Sequence, residues 1–491
     1  MNLNKIKYKQ IVFIGLIIFF IGLLWLEAIR NGLGGDFFYD EAVYANLSEH
    51  PFISDYYYDP IFCRHPPFIY VFQWALLKIL DGVKVEILFR VSALIFSSIG
   101  VVLLWLNLKY LTNSIIISTA SIVAIVTSRL FVRYSISATM YPYLFFFLQL
   151  AFIGIIKNNK ILRNTGLILS MYTHYMGVVV FILYVISLWI KGYGKKEIFK
   201  ENKVIIFSYI PIIWIAIVGF VYHTTRLTHY HLFYNHLAML YYFPLSVWVG
   251  TLYIFSRYTK VSLMRDKHIL IILISIFVLL YFFICPVIRP FERYAYSVFP
   301  IFLLCGSYGI KKLISDIKIK HLKIFLAVFL IFLYFLPYHL LSHYESMWFD
   351  GFYADNNKYQ NWRSLVKLCS QKYEGKTILT NNARSFAFYL EKENSKRYIL
   401  RRLDKKGKRF QYFSCIGSSI TRSKLTKKGE LFQFDSNLKD FIKYFKKMDS
   451  CLVIINNYPY LRRILDYLDK MRSCRCALKS ENILIYQCNI N

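Results

Sequence analysis

The sequence predicts a polytopic α-helical membrane protein of about 11 transmembrane helices, with a small C-terminal extracytoplasmic α/β domain. Three observations lead to this prediction. Of the 491 residues, 57% are hydrophobic and 19% are aromatic, more than a water-soluble domain can cover with polar surface. Apolar runs of the ~20 residues that a span requires recur from Ile11 to Leu341. After Leu341 the sequence becomes polar and lysine-rich.

The placement of charge indicates the topology. A net charge of +32 is of the sign that nucleic acids attract, but in a membrane protein the distribution of Lys and Arg carries more information. Basic residues concentrate in alternate loops, which the positive-inside rule assigns to the cytoplasm. We expect a multi-pass plasma-membrane protein with a cytoplasmic N-terminus and no nucleic-acid partner. These loops contain Lys157, Lys160 and Arg163; Lys191, Lys195, Lys196, Lys200 and Lys203; Arg257, Lys260, Arg265 and Lys267; and Lys311, Lys312, Lys318, Lys320 and Lys323.

The predicted spans follow from this topology. The first run, Ile11 to Leu26, resembles a signal peptide, but no small-residue cleavage site follows it, so we expect a retained helix. The stretch from Ile161 to Ile190 must cross twice to keep its flanking basic loops on one side, with a break at Tyr172-Thr173-His174-Tyr175. Spans are expected near residues 10–27, 88–108, 114–128, 140–156, 162–174, 176–190, 204–222, 237–256, 268–285, 294–310 and 321–341.

Two regions lie outside these spans. The first outer loop, about residues 28–87, contains Phe68 to Leu80, which is too short to span and is expected to form an amphipathic helix in the interface. Residues 342–491 are expected to form a soluble α/β domain, placed outside the cell by the odd number of spans. Its strand-like and helix-like segments are Thr377 to Thr380, Ser385 to Leu390, Leu452 to Ile455, Leu461 to Met471 and Ile483 to Tyr486.

The cysteines of this C-terminal region have two interpretations. Their even number in an oxidising compartment makes disulfides possible, although the sequence does not indicate which cysteines pair. Metal binding through Cys474 and Cys476 is the alternative, for which two such cysteines without a second pair are a weak signal. The cysteines of the region are Cys369, Cys415, Cys451, Cys474, Cys476 and Cys488.

Two motifs in the first outer loop carry groups suited to chemistry. An adjacent acid pair, Asp40-Glu41, follows the first helix, and a carboxylate at the membrane surface can act as a general base. An acidic N-terminus of a helix explains the same pair without any chemistry. Further along, Arg64-His65 precedes Pro66-Pro67, which stop one segment and open the next helix. Arg and His suit a phosphate, with anchoring to lipid headgroups as the alternative.

These segments resemble the C-type glycosyltransferase superfamily, specifically the protein-mannosyltransferase-like branch that includes the aminoarabinose transferases acting on lipid A. Asp40-Glu41-Ala42-Val43-Tyr44-Ala45 is similar to the family's Asp-Glu-Ala-x-Tyr-Ala signature, and His65-Pro66-Pro67 to its Lys/His-Pro-Pro segment. The similarities cover most of the membrane part, but not the C-terminal domain. Further ones follow in family order: Gly82 with Arg90-Val91-Ser92-Ala93-Leu94, Arg133 to Tyr141, Tyr172-Thr173-His174-Tyr175, and Arg293-Tyr294 with Pro300.

Two positions depart from the family's pattern. Many relatives carry an acidic residue in the second outer loop, where this chain has Ser137-Ala138-Thr139. The family's glutamate before Lys-Pro-Pro is replaced by Arg64, which shifts the local charge toward phosphate binding.

The resemblance implies a membrane glycosyltransferase of cell-envelope glycosylation, with residues 1–341 as its transmembrane domain and residues 28–87 as its catalytic first outer loop. The donor would be a polyprenyl-phosphate sugar and the acceptor a lipid, glycan or protein on the outer face. Asp40 would be the base of an inverting displacement, with Glu41 as the alternative base or an orienting group. Binding of the donor phosphate is expected of Arg64, His65, Arg133, Arg293 and Tyr294.

The sequence gives less information about cofactors and about the residues that contact the substrate. A nucleotide-sugar enzyme would need an Asp-x-Asp motif, which does not occur in this sequence, whereas a lipid-linked donor removes that need. No cofactor is therefore expected to be required, with a divalent metal as the alternative. His174, His229 and His231 are candidates for substrate or metal contact. For His229 and His231, a structural role in an interfacial aromatic belt is the favoured explanation, and for His174 the alternative is that of a hydrogen-bonded polar residue at a helix end.

Other functions fit parts of the sequence. A polymerase or ligase of polyprenyl-linked glycans would share the outer-face arginines but should lack the early acid pair. A transporter would place ionisable residues within its helices, and the predicted helices are nearly free of acids. A non-enzymatic membrane scaffold is the third alternative.

Overall fold

The structure is a computed structural model of the chain. Within some helices only the backbone is described. The residues that the structure describes are 3–30, 33, 37, 41–42, 44–45, 48, 66–126, 128–213, 217, 245–257, 269–284, 292–333, 365, 367, 377–380, 389, 401–403, 409–411, 421–424, 430–433, 441–442, 445–446, 450–456, 462–471, 473–479 and 483–489.

The chain divides into two compact units. The first consists of Met1–Leu33, Pro51–Val83 and Ile87–His343, and the second of Gly34–His50, Lys84–Glu86 and Tyr344–Asn491. The loop that carries Asp40 and Glu41 therefore groups with the C-terminal part of the chain.

The first unit is helical in its described residues. Most helices lie where the apolar runs predict them. Among the described helices, Val85–Thr112 is long and apolar enough to cross a bilayer. The predicted number of spans stays a prediction. The helices are α1 Leu3–Arg30, α2 Phe68–Ile79, α3 Val85–Thr112, α4 Ile115–Val126, α5 Arg129–Ser135, α6 Tyr141–Ile156, α7 Lys160–Thr173, α8 Tyr175–Ile190, α9 Lys195–Tyr209, α10 Leu245–Arg257, α11 Ile269–Ile284 and α12 Glu292–Asp316, with a 3₁₀ turn at Ile210–Ile212 and a further helical segment at 320–333.

The break predicted within Ile161 to Ile190 is confirmed. Helix α7 ends at Thr173, α8 begins at Tyr175, and His174 between them is extended at φ −158° and ψ 147°. The prediction that Pro66-Pro67 open the next helix is also confirmed, because α2 begins at Phe68.

The basic segment Lys191 to Lys203, predicted as a loop, is partly helical. Helix α9 starts at Lys195, where the Gly194 amide donates to Glu197 Oε2 at 2.8 Å. Arg163, whose side chain is 5% exposed, donates to Glu201 Oε1 at 2.6 Å, and Lys160 donates to Oε2 at 2.9 Å. These bonds join α7 to α9, so the lysines belong to a packed helix.

Helices α10 and α12 approach each other closely through glycines. A Cβ atom at Gly306 would lie 2.6 Å from the carbonyl oxygen of Val247, and one at Gly309 would lie closer still to the backbone of Gly250. Glycine at these positions lets the two backbones meet. Pro300 lies inside α12 and interrupts its backbone hydrogen bonds without ending the helix.

The second unit contains an eight-stranded mixed sheet in its described part, with the strand order β3-β2-β4-β5-β1-β6-β8-β7. β1 pairs in parallel with β5 and β6, and the remaining pairs are antiparallel. Helix α13, Arg462–Lys470, buries Ile464 and Leu468 in a cluster with β6 and β8 residues. The strands are β1 Thr377–Thr380, β2 Arg401–Leu403, β3 Arg409–Gln411, β4 Thr421–Lys424, β5 Glu430–Gln433, β6 Ser450–Asn456, β7 Cys474–Lys479 and β8 Ile483–Asn489.

The sheet register determines the cysteine pairing. Cys474 of β7 lies opposite Cys488 of β8, and the two form a disulfide. The alternative of metal binding through Cys474 and Cys476 is therefore wrong, because the sulfur of Cys474 is already bonded. Cys451 of β6 lies opposite Cys488 on the other side and is buried as a free thiol, while Cys476 is exposed.

Candidate active site

The acid-bearing loop is buried at each of its described positions. Glu41 is helical and only 7% exposed, and Ala42, Tyr44 and Ala45 are 1%, 5% and 1% exposed. Asp40 lies outside the described residues. Because Glu41 is enclosed, an acceptor molecule has little access to its carboxylate.

A chain of hydrogen bonds holds the start of this loop. The amide of Phe37 donates to the Tyr389 hydroxyl oxygen at 2.5 Å, and that hydroxyl donates to Glu86 Oε1 at 2.8 Å. Phe37 and Glu86 are 0% exposed and Tyr389 is 1% exposed. All three residues belong to the second unit. Tyr389 thus links the backbone three residues before Asp40 to a buried carboxylate.

A second group of residues brings two candidate phosphate-binding helices together in the first unit. Tyr296, in the first turns of α12, stacks on Phe131 of α5 with ring centroids 5.1 Å apart. Its hydroxyl lies 3.2 Å from Ser97 Oγ, which also donates to the carbonyl of Ser135. Arg133 and the pair Arg293-Tyr294 therefore stand on neighbouring helices, although only their backbones are described.

The segment between α5 and α6 is held by neutral groups. Gln73 of α2 is 0% exposed and donates to the carbonyl of Ala138 at 3.2 Å. Thr139 Oγ1 donates to Ser137 Oγ at 3.2 Å. The segment at which the resemblance led us to expect an acid thus has a hydroxyl pair and a buried contact to α2.

The histidine candidates have different outcomes. His174 is 7% exposed, and its Nδ1 accepts the amide of Met176 at 3.0 Å, so the ring caps the N-terminus of α8. This is the structural role of a polar residue at a helix end. His229 and His231 lie outside the described residues, as do Arg64 and His65.

No group of three or more His, Cys, Asp or Glu side chains that could hold a metal occurs within the described part of the chain.

Sequence reasoning missed Glu86, Tyr389 and Gln73. Glu86 could have been found from the sequence, because it is an acidic residue in the first turn of the 28-residue apolar helix α3. Tyr389 is one of 41 tyrosines, and no local pattern sets it apart.

Comparison with solved structures finds a similar fold over nearly the whole chain. The chain is similar to the crystal structure of ArnT from Cupriavidus metallidurans in the apo state, with a TM-score of 0.51 and 10% sequence identity. The alignment covers 97% of this chain and 98% of that chain. No family model matches the sequence, and no curated protein does so either. The chain therefore has an overall fold similar to that of ArnT.

Proposed function

We propose that this protein is a membrane glycosyltransferase of the GT-C type, which transfers a sugar from a polyprenyl-phosphate donor to a lipid, glycan or protein acceptor at the outer face of the membrane. The observation that carries the proposal is the ArnT-like fold over 97% of the chain. The Asp40-Glu41 pair after α1 supports it, because that position matches the acidic signature of the family the sequence resembles. In this proposal residues 1–341 form the transmembrane domain and residues 342–491 an extracytoplasmic one.

Asp40 is the proposed base. It takes the proton from an acceptor hydroxyl or amine while the acceptor atom bonds to the anomeric carbon and the bond from that carbon to the phosphate oxygen breaks. Attack opposite the leaving group inverts the anomeric configuration. The burial of Glu41, at 7% exposure, favours an orienting role for it rather than contact with the acceptor.

The departing polyprenyl phosphate needs cations where its negative charge develops. Arg133 and Arg293 are the proposed pair, because Tyr296 and Phe131 hold α12 and α5 against each other. Tyr294 adds a hydroxyl donor next to Arg293. Arg64 and His65, which precede α2 in the sequence, complete the proposed phosphate site.

The remaining candidates have weaker support. The capping bond of His174 accounts for its position without substrate contact. His229 and His231 stay proposals for substrate or metal contact. A cofactor is not needed by this mechanism, and metal addition is a simple variable to include in the assay.

The test is sugar transfer by the purified protein in detergent, from a panel of radiolabelled polyprenyl-phosphate sugars to host membrane extract, with and without a chelator. The expected result is labelled product from one donor, with inverted anomeric configuration, that is lost in Asp40→Asn. No transfer from any donor by folded protein would contradict the proposal and favour a scaffold or transporter. Transfer of preassembled glycan chains instead of a single sugar would favour a polymerase or ligase.

A further inference from the structure

We infer that Tyr389 is a positioning residue of the proposed active site, which holds the acid-bearing loop through the amide of Phe37 and the carboxylate of Glu86. The inference rests on the proposed function, in which Asp40 of that loop is the base. It assigns to the C-terminal half of the chain a direct part in sugar transfer.

The hydrogen-bond chemistry gives the Tyr389 hydroxyl one orientation. A carboxylate only accepts hydrogen bonds, so the hydroxyl must give its single proton to Glu86 Oε1, at 2.8 Å. Its oxygen is then left to accept from the Phe37 amide, at 2.5 Å. With each of the three residues at most 1% exposed, water has little access to replace either bond.

The position of this link explains why it matters for catalysis. Phe37 precedes Asp40 by three residues, within the same segment Gly34–His50 that groups with the C-terminal part of the chain. A general base works only within hydrogen-bond reach of the proton that it removes. Loss of the Tyr389 hydroxyl would remove one hydrogen bond that fixes the Phe37 backbone, and displacements of about 1 Å can lower a rate by about 100-fold.

The decisive variant is Tyr389→Phe, which keeps the ring and removes the hydroxyl. Tyr486→Phe is the control, because Tyr486 is a buried residue of the same unit whose hydroxyl also donates to a carboxylate, Asp469 Oδ1, at 2.7 Å, in a part-buried hydrogen bond. We expect Tyr389→Phe to lower kcat by about 10- to 100-fold with the donor KM nearly unchanged. Tyr486→Phe should keep the wild-type kcat. A general loss of folded protein would instead lower activity and thermal stability in both variants.

Glu86 provides a second test that does not remove the tyrosine. Glu86→Gln keeps an oxygen that accepts from Tyr389, so it should retain more activity than Tyr389→Phe.

Hydrogen–deuterium exchange separates this inference from the proposed function. In Tyr389→Phe, the peptide containing Phe37 should exchange faster than in wild type, while Tyr486→Phe leaves it unchanged. This readout needs no substrate, so it decides whether Tyr389 holds the loop even if no donor supports transfer. The inference would be overturned if the Phe37 peptide exchanged equally fast in the two variants. It would also be overturned if the wild type transferred sugar and both variants had the same kcat. Either result would leave the proposed function standing.

Discussion

Replacing Gly306 by alanine should weaken the packing of α10 against α12. The new Cβ would lie 2.6 Å from the carbonyl oxygen and 2.7 Å from the Cα of Val247, and backbone atoms cannot move aside as a flexible side chain does. Overpacking of this kind costs ~1–3 kcal/mol. Alanine recovers ~1 kcal/mol through its higher helix propensity. Because the obstructing atoms are backbone, we expect a net loss of about 1–2 kcal/mol.

Gly22 of α1 is the matched control, since a Cβ there meets nothing within 4 Å. Gly22→Ala should therefore keep or raise stability, by up to ~1 kcal/mol. Unfolding of both variants in one detergent, followed by intrinsic fluorescence and by size-exclusion chromatography after heating, measures the difference. If Gly306→Ala is as stable as Gly22→Ala, the close contact between α10 and α12 is refuted.

Two further predictions concern ionisable groups. Partial burial raises the pKa of Glu201, but hydrogen bonds from Arg163 and a lysine outweigh it and leave the pKa below the ordinary 4.5. The stabilising contribution of Glu201 is therefore complete above about pH 4.5 and is lost as the pH falls through the lowered pKa. The melting temperatures of wild type and Glu201→Gln should differ at neutral pH and converge in acid. Burial raises the pKa of Cys451 from 9.0 to about 12, so at pH 8 iodoacetamide should modify the exposed Cys476 and spare Cys451 until the protein unfolds. Modification of Cys451 in the native protein would contradict its burial.

The predictions that held were those that depended on local sequence. The break at His174 was expected because the two flanking basic segments were predicted to share one side, and a polar residue that caps α8 supplies it. The prolines before Phe68 open α2 because proline is tolerated in a first helical turn. The strand at Thr377–Thr380 is likewise a short β-branched run.

One prediction failed because it depended on charge, and the cysteine pairing was left open by the sequence. Lys195 to Lys203 was interpreted as a loop because of its lysines, but Ile198, Asn202 and Ile205 recur at helical spacing on the packed side of α9. The bond between Cys474 and Cys488 depends on which strands are neighbours, and that is a property of the sheet.

In the candidate site too, some residues could be predicted from the sequence and others could not. Motif order predicted Asp40, Glu41 and the arginines as one site, and the structure places Arg133 and Arg293 on neighbouring helices. Tyr389 and Glu86 are 303 residues apart in the chain, so no sequence spacing relates them. Their contact lies within the unit that the segments Lys84–Glu86 and Gly34–His50 form with the C-terminal part of the chain.

The measurement that tests the central claim most directly compares initial rates of sugar transfer by Asp40→Asn and Asp36→Asn with the donor identified in the panel. Both variants remove one negative charge from the same loop, four residues apart. The account predicts that Asp36→Asn keeps nearly the wild-type rate. Asp40→Asn should lose about 100-fold or more, as expected when a general base is removed. Equal rates in the two variants would contradict the account, because transfer would then proceed without Asp40 as its base.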